Sequence, residues 1–420
     1  VYSQVVRHEF LGYDDRFFVV ENKAVRAGLS LATLKWALLS TSGFWFPVTR
    51  LSHLVDSQLW GMSPSGHHLT SLLLHVASVV LVFQIFRKLC GSLGQAAAVA
   101  AIFAVHPLGT ETVSWISERK GVLCGTLFLS ALYAYVAMAP TWRRATAVSA
   151  LYLLALMAKP MALTLPGVLL LLDCWPLKTL VVGGKLEPRR LWEKLPMIAI
   201  AAAVSAVTVG AQSSVGATVD EVTFPLSVRL ANALVSAVEY LRLFVVPLGL
   251  SPFYPHPYGQ TPTWQVAASA ALLISLTVIF VAGRRERPHL LVGWLWWLGM
   301  LVPVIGLVQI GRWSMADHYM YLPMLGLSLA VVVEVNGRLG PARWRVAVAA
   351  LALVVAGFAA LAYQQCGYWH DTRTLFEHTV EVTTGPNWMA ETMLGELDAQ
   401  AGNYASAQSH LRTAISALDR

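Results

Sequence analysis

The 420-residue chain is 56% hydrophobic and only 13% charged, with a mean hydropathy of +0.58, whereas soluble domains carry roughly 25% charged residues. A surface so poor in charge could not be covered by water-facing groups, which excludes an ordinary soluble fold. The net charge of +7 sits in short clusters between apolar blocks, namely Arg87-Lys88, Arg143-Arg144, Lys178 to Lys194, Arg284-Arg285-Arg287 and Arg338 to Arg345. That is the bias of cytoplasmic loops and not a nucleic-acid footprint, so no nucleic-acid partner is expected.

Residues 1–66 precede the first apolar block. Trp36, Phe44, Trp45, Phe46 and Trp60 alternate there with polar groups, the pattern of short helices lying in the interface. Apolar runs near the roughly 17–25 residues of a bilayer crossing then predict spans at 67–86, 95–106, 121–139, 145–158, 161–176, 195–211, 265–282, 290–310, 319–335 and 346–364. Setting the basic clusters inside puts 1–66, 107–120, 311–318 and everything after about 365 outside. Residues 228–248 are long enough to cross, yet both flanks lie outside. They also carry Glu239 and Arg242, which are costly at the bilayer centre, so the segment reads as a re-entrant or interfacial helix.

An outer start implies a further crossing before Val1, and with no initiating Met the chain reads as a fragment. The expected fold is an all-α polytopic transmembrane helix bundle of about ten spans plus one missing. Its expected parts are an outer-face loop (1–66), a transmembrane core (67–365) and the start of a repeat region (366–420). In that last part Leu394-Gly395, Gly402, Tyr404, Ala407, Leu411 and Ala414 fit the packing positions of a tetratricopeptide helical hairpin of roughly 34 residues. Phe376 falls in a partial preceding unit. A lone repeat buries its face poorly, so more units and protein partners for the arm are expected.

The chemistry-bearing residues gather in the outer segments. Asp14-Asp15 follows the inferred missing span, where a carboxylate can take the proton of a hydroxyl attacking a sugar carbon. The pair could also hold a divalent cation such as Mg2+ or Mn2+ through oxygen ligands, and the bland alternative is a solvated loop with Asp15 as a helix cap. His53 and Asp56, three apart, share a helix face, with packing favoured over metal. His106, Glu111, Glu118, Arg119 and Lys120 form a denser cluster, whose Arg119 and Lys120 would meet carrier phosphates at headgroup depth or simply snorkel. Arg312, Asp317 and His318 make a fourth group, and His256 lies on the same side. Lys159-Pro160 reads as a structural hairpin turn, to which Lys159 could add positive potential. No phosphate-binding glycine loop, zinc-ligand spacing or nucleophile elbow is present.

These blocks resemble a known group. Gly12-Tyr13-Asp14-Asp15, Trp45-Phe46-Pro47-Val48-Thr49-Arg50-Leu51-Ser52-His53 to Asp56, Gly66-His67-His68-Leu69, His106-Pro107-Leu108 to Glu111, and Ser117-Glu118-Arg119-Lys120 carry the likeness. It continues through Leu172-Asp173-Cys174-Trp175-Pro176-Leu177, Phe253-Tyr254-Pro255-His256-Pro257 and Met315-Ala316-Asp317-His318-Tyr319. The chain is similar to the multispanning O-mannosyltransferases with tetratricopeptide repeats, and their bacterial relatives, in the GT-C superfamily. The resemblance implies an inverting glycosyltransferase using a polyprenyl-phosphate sugar, with a Ser or Thr hydroxyl of a protein, or a glycan, as acceptor. The base falls on Asp14 or Asp15, with Asp15 favoured, and phosphate contacts fall on Arg119, Lys120, Arg312 and His318. His53, Asp56, His106, Glu111, Glu118, Asp317 and His256 are supporting residues.

Three positions depart from the pattern: Gly121 where an acid is expected, His318 where Arg is expected and Gly109 where His is expected. They bear on donor affinity and sugar choice. Competing readings are a catalytically inactive scaffold with a repeat arm and a transporter of lipid-linked substrate. The Ala, Val, Leu and Arg bias points to a bacterial inner membrane with a periplasmic site, an endoplasmic reticulum membrane with a lumenal site being the alternative.

Overall fold

The computed structural model describes residues 1–41, 44–213, 224–309, 311–338 and 344–418. It is a helix bundle in which, among the described residues, strands are confined to two small ladders, Val181–Val182 with Lys185–Leu186 and Tyr254–Pro255 with Trp313–Met315. Among the described residues five helices are long and apolar enough to cross a membrane: Pro64–Cys90, Ile116–Ala137, Pro188–Ala211, Thr263–Ala282 and Arg345–Tyr368. A sixth crossing arises if Leu93–Val105 and Pro107–Ser114, bent by 57°, count as one. Pro107 lacks the N–H that would continue the ladder, which accounts for the break.

The other expected spans are helical but short: Trp142–Ala158, Leu165–Cys174, Pro288–Leu301 and Met324–Arg338. They are cut by Lys159-Pro160 and by the loop through Trp313–Met315. Leu226–Val245 is a full-length helix carrying Arg229, Glu239 and Arg242, with Arg242 paired to Glu239 at 2.6 Å. Its polar face holds the loop beyond residue 311, through Asn232 Nδ2 to the Ser314 carbonyl (2.9 Å) and Tyr240 Oη to the Ala316 carbonyl (3.0 Å).

Among the largest core side chains are Trp296, Trp297, Trp369, Tyr152, Tyr240 and Phe86, all fully buried. Leu353 and Val346, 75% and 69% exposed, face outward, as lipid-facing residues do. One helix contact has no slack. A Cβ on Gly293 would lie 2.3 Å from the Gly326 carbonyl oxygen, and a Cβ on Gly326 would lie 2.5 Å from the Gly293 oxygen. Pro288–Leu301 and Met324–Arg338 thus touch backbone to backbone, the small-residue packing of apolar media.

At the chain's end Trp388–Gln400 and Tyr404–Leu418 form a hairpin. A Cβ on Gly395 would meet Leu411 Cγ at 2.9 Å, so the small residue there does permit close approach. The preceding segment runs along the first loop. Glu9 N donates to the His370 carbonyl (2.9 Å), Gly12 N donates to Thr372 Oγ1 (2.7 Å), and Tyr13 meets Phe376 edge-on at 5.7 Å.

Gly326→Val should lower stability by about 1–3 kcal/mol through overpacking, read as a lower unfolding midpoint in detergent. An unchanged midpoint would mean the helices can separate freely.

Candidate active site

Asp14 and Asp15 open a short helical turn, and successive residues of such a turn point about 100° apart. Asp15 turns inward and is fully buried. Its Oδ2 accepts from Leu11 N (3.1 Å), and its Oδ1 accepts from Ser117 N (2.8 Å) and Ser117 Oγ (2.5 Å). The carboxyl thereby ties the first loop to the Ser117-Glu118-Arg119-Lys120 block. Asp14 turns the other way, half-buried on the wall of a cavity of about 570 Å3. Both oxygens of Asp15, the favoured base in the sequence reading, thus accept from structural donors, and it is Asp14 that lines the cavity.

The cavity's polar end is built from Asp14, Glu118, Lys120, Lys159, His318 and Tyr319. Glu118 is the hinge of this group. Its Oε1 lies 3.1 Å from Lys120 Nζ and its Oε2 lies 2.8 Å from Lys159 Nζ. His318 Nε2 stands 3.8 Å from Glu118, while its Nδ1 is 2.9 Å from Glu111 Oε1 and its backbone N donates to Glu111 Oε2 at 2.8 Å. Glu111 thus lies behind His318 and fixes it. Burial raises the Asp14 pKa, Lys120 and His318 partly opposing and Glu118 adding to it, so its carboxylate is a stronger proton acceptor than a surface one. The other end is apolar and aromatic, including Met161, Leu163, Val308 and Trp313.

Arg119 is adjacent to Lys120 yet faces the opposite way and is fully buried. It is 2.7 Å from Asp56 Oδ2 and donates to Ser52 Oγ (2.9 Å), Ser71 Oγ (2.9 Å) and the His67 carbonyl (2.5 Å). Its donors are engaged inside the bundle and, unlike Lys120, it is not among the residues that line the cavity. Arg312 is likewise removed: its side chain is exposed and does not line the cavity, while its carbonyl accepts from His256 N at 3.1 Å. His256 itself braces its own turn, with Nδ1 accepting from Tyr258 N. His106 does the same through Leu108 N and bonds the Phe244 carbonyl by Nε2. Asp317 is buried against Tyr254 Oη (2.9 Å), and burial with the nearby Glu111 lifts its pKa well above the usual carboxylate range.

The Asp14 and Asp15 carboxyls, which could together have held a cation, turn to different sides of the loop, Asp15 to Ser117 and Asp14 to the cavity. Among the described residues His53, Asp56 and His67 lie close enough to share an ion. The Arg119 guanidinium already neutralises Asp56, and its charge opposes a cation there. Lys159, which the sequence offered first as a structural turn and second as a source of positive potential, lines the cavity; a Lys inside an apolar hairpin is expensive at membrane depth unless it is used. The departures are also accounted for in part. A Cβ on Gly121 would sit 2.5 Å from Glu118 Oε2, so the absent side chain is what lets Glu118 reach Lys159.

Arg119→Gln should cost about 3–5 kcal/mol by leaving Asp56 buried and unpaired, with Asp56→Asn added to it restoring part of the loss; additive losses in the unfolding midpoints would refute the pairing. Burial also outweighs the three hydrogen bonds on Asp15 and raises its pKa from 3.8 to about 6. A raised carboxyl pKa means that its stabilising contribution is complete below about pH 3.8 and is lost as pH rises through about 6. Asp15→Asn should flatten that part of the profile of midpoint against pH, and an unaltered slope would contradict it.

No protein-family model matches the chain. Over 131 residues it is 33% identical to protein O-mannosyl-transferase Tmtc1 of Drosophila melanogaster, covering 29% of this chain and 15% of that relative. Over 148 residues it is 32% identical to protein O-mannosyl-transferase TMTC1 of Homo sapiens, covering 32% of this chain and 16% of the relative. Among solved structures it aligns over 98% of its length, and 72% of the other chain, with ArnT from Cupriavidus metallidurans. For the form bound to undecaprenyl phosphate the identity is 14% and the TM-score 0.43, and for the apo state they are 15% and 0.46. The matches therefore span only a small part of the curated relatives' own length. This chain is an integral membrane helical protein similar, over 32% of its sequence in the match to the human relative, to protein O-mannosyl-transferases.

Proposed function

We propose that the protein is a membrane glycosyltransferase of GT-C type that moves a hexose, mannose in the first instance, from a polyprenyl-phosphate donor to a hydroxyl acceptor. The reading is supported above all by one juxtaposition. A half-buried carboxylate, Asp14, shares a cavity with two lysines whose far wall is apolar. The apolar end suits an isoprenoid chain and the lysines suit its phosphate.

In this mechanism the acceptor O–H gives its proton to an Asp14 carboxylate oxygen as the oxygen bonds to the sugar C1. The C1–O bond to phosphate breaks on the opposite face, inverting the centre, and its electron pair leaves on the phosphate oxygen. Lys120 and Lys159 balance the charge that develops there, the part of catalysis that preorganised cations perform best. Glu118 spaces the two ammonium groups, and an ammonium bound to one carboxylate still has donors to offer. Asp15 acts as a positioning residue through Ser117. The site would open to the periplasm of a bacterial cell, or to the endoplasmic reticulum lumen, with the C-terminal hairpin as the first part of a tetratricopeptide arm that engages protein partners.

Asp14→Asn should lower kcat by roughly 100- to 10,000-fold, the usual worth of a general base, with donor KM within about threefold. Lys120→Ala should act mainly on donor KM. The measurement is transfer of radiolabelled mannose from a polyprenyl phosphate to a Thr-containing peptide in nanodiscs. Undiminished turnover by Asp14→Asn would remove the mechanism.

A further inference from the structure

A smaller cavity, of about 270 Å3, lies at the other end of the bundle from Asp14. Two helices fix its place. Arg119–Ala137 carries Lys120 at its start, on the first cavity, and Tyr135 near its end, on this one. Trp142–Ala158 begins at this cavity and leads to Lys159 in the first. Its 17 residues rise about 25 Å, close to the roughly 30 Å of a bilayer's hydrocarbon core. The two cavities therefore open toward opposite membrane surfaces. Exposed Trp142 and Trp192 mark the second surface, as interfacial tryptophans do.

Two basic clusters far apart in sequence meet here around one carboxylate. Glu193 receives Arg144 at 2.9 Å, Arg190 at 3.2 Å and Arg189 at 3.5 Å. Three guanidinium groups to one carboxylate leave an excess of positive charge. Arg144 and Arg189 line the cavity, and they donate further to the Tyr135 carbonyl (3.5 Å) and the Pro140 carbonyl (3.3 Å). A guanidinium carries five N–H groups, more than these contacts take up. Lys194, by contrast, is neutralised by buried Asp173, to which Tyr135 Oη donates at 2.8 Å. The lining also includes Val148, Leu169 and Met197, all buried. Guanidinium forks suit phosphate oxygens, and an apolar lining suits the carbon stem that a lipid phosphate carries. Basic pockets between helices at a membrane surface take anionic headgroups in this way. The geometry points to a binding site for the phosphate of an anionic phospholipid, in the leaflet opposite the Asp14 cavity and held by Arg144 and Arg189. Glu193 is its positioning residue, since it fixes both arginines. The site does not depend on the reaction proposed for Asp14.

The test titrates the full chain, in a neutral detergent, with dioctanoyl phosphatidylglycerol and counts complexes by native mass spectrometry. One lipid should bind saturably. Arg189→Gln alters a largely exposed side chain and leaves the fold intact, and it should raise Kd roughly threefold. Combined with Arg144→Gln it should raise Kd roughly tenfold or more, as expected when charge-assisted contacts to phosphate are lost. Ala145→Trp fills the cavity from an exposed position and leaves every charge in place, and it should weaken binding as much as the double change. Arg284→Gln with Arg285→Gln, on another exposed basic turn, should leave Kd within about twofold. Equal weakening by that control pair would mean diffuse attraction to surface charge and overturn the site. Unaltered binding by Ala145→Trp, or dioctanoyl phosphatidylcholine binding as tightly, would overturn it too. Displacement by inorganic phosphate at the lipid's own concentration would leave an anion pocket and overturn the lipid assignment.

Discussion

The architecture of the site depends on a buried charge that never touches it. Arg119 joins Asp56 on the helix Pro47–Trp60 to Ser71 and the His67 carbonyl on Pro64–Cys90. In a medium of low dielectric such an ion pair is held because separation would strand two charges, and its hydrogen bonds fix direction as well as distance. With Arg119 locked inward, its neighbours in sequence have little choice. Glu118 and Lys120 must emerge on the cavity side, and Ser117 must present its N–H to Asp15. One internal contact thus orients both halves of the polar cluster.

The cluster itself is a balance of like and unlike groups. Glu118 between Lys120 and Lys159 keeps two ammonium groups together that would otherwise repel, and Glu111 does the same for His318 from behind. Replacing a guanidinium by His318 substitutes a smaller group, and the imidazole is accommodated because Glu111 meets both its ring and its backbone N–H. Gly121 belongs to the same compensation, since its missing side chain gives Glu118 room to span the lysines.

Much of this was legible in the sequence at the level of segments. Hydropathy located the apolar helices from Pro64 onward, and the segments expected on one side, 1–66, 107–120 and 311–318, do meet, through Asp15 to Ser117 and Glu111 to His318. The hairpin after residue 387 followed from its small residues. What sequence could not resolve was direction. In Asp14-Asp15 and Arg119-Lys120 the two members are chemically alike, and which one turns inward depends on partners scores of residues away. Helix length was also opaque, because composition passes smoothly over the ends at Leu301 and Met324, inside the expected spans 290–310 and 319–335.

The seam between the last helices and the first loop has a practical consequence. Thr372 holds Gly12, His370 holds Glu9, and Phe376 flanks Tyr13, whose ring stacks on Trp115 at 5.2 Å. Cutting the chain before residue 370 would therefore strip the outer support from the loop that carries Asp14. A deletion meant to ask whether the arm recruits partners would also loosen the carboxylate proposed as the base, so loss of transfer in such a truncation could not be credited to a missing partner. Point changes on the far side of the hairpin, away from this seam, separate the two.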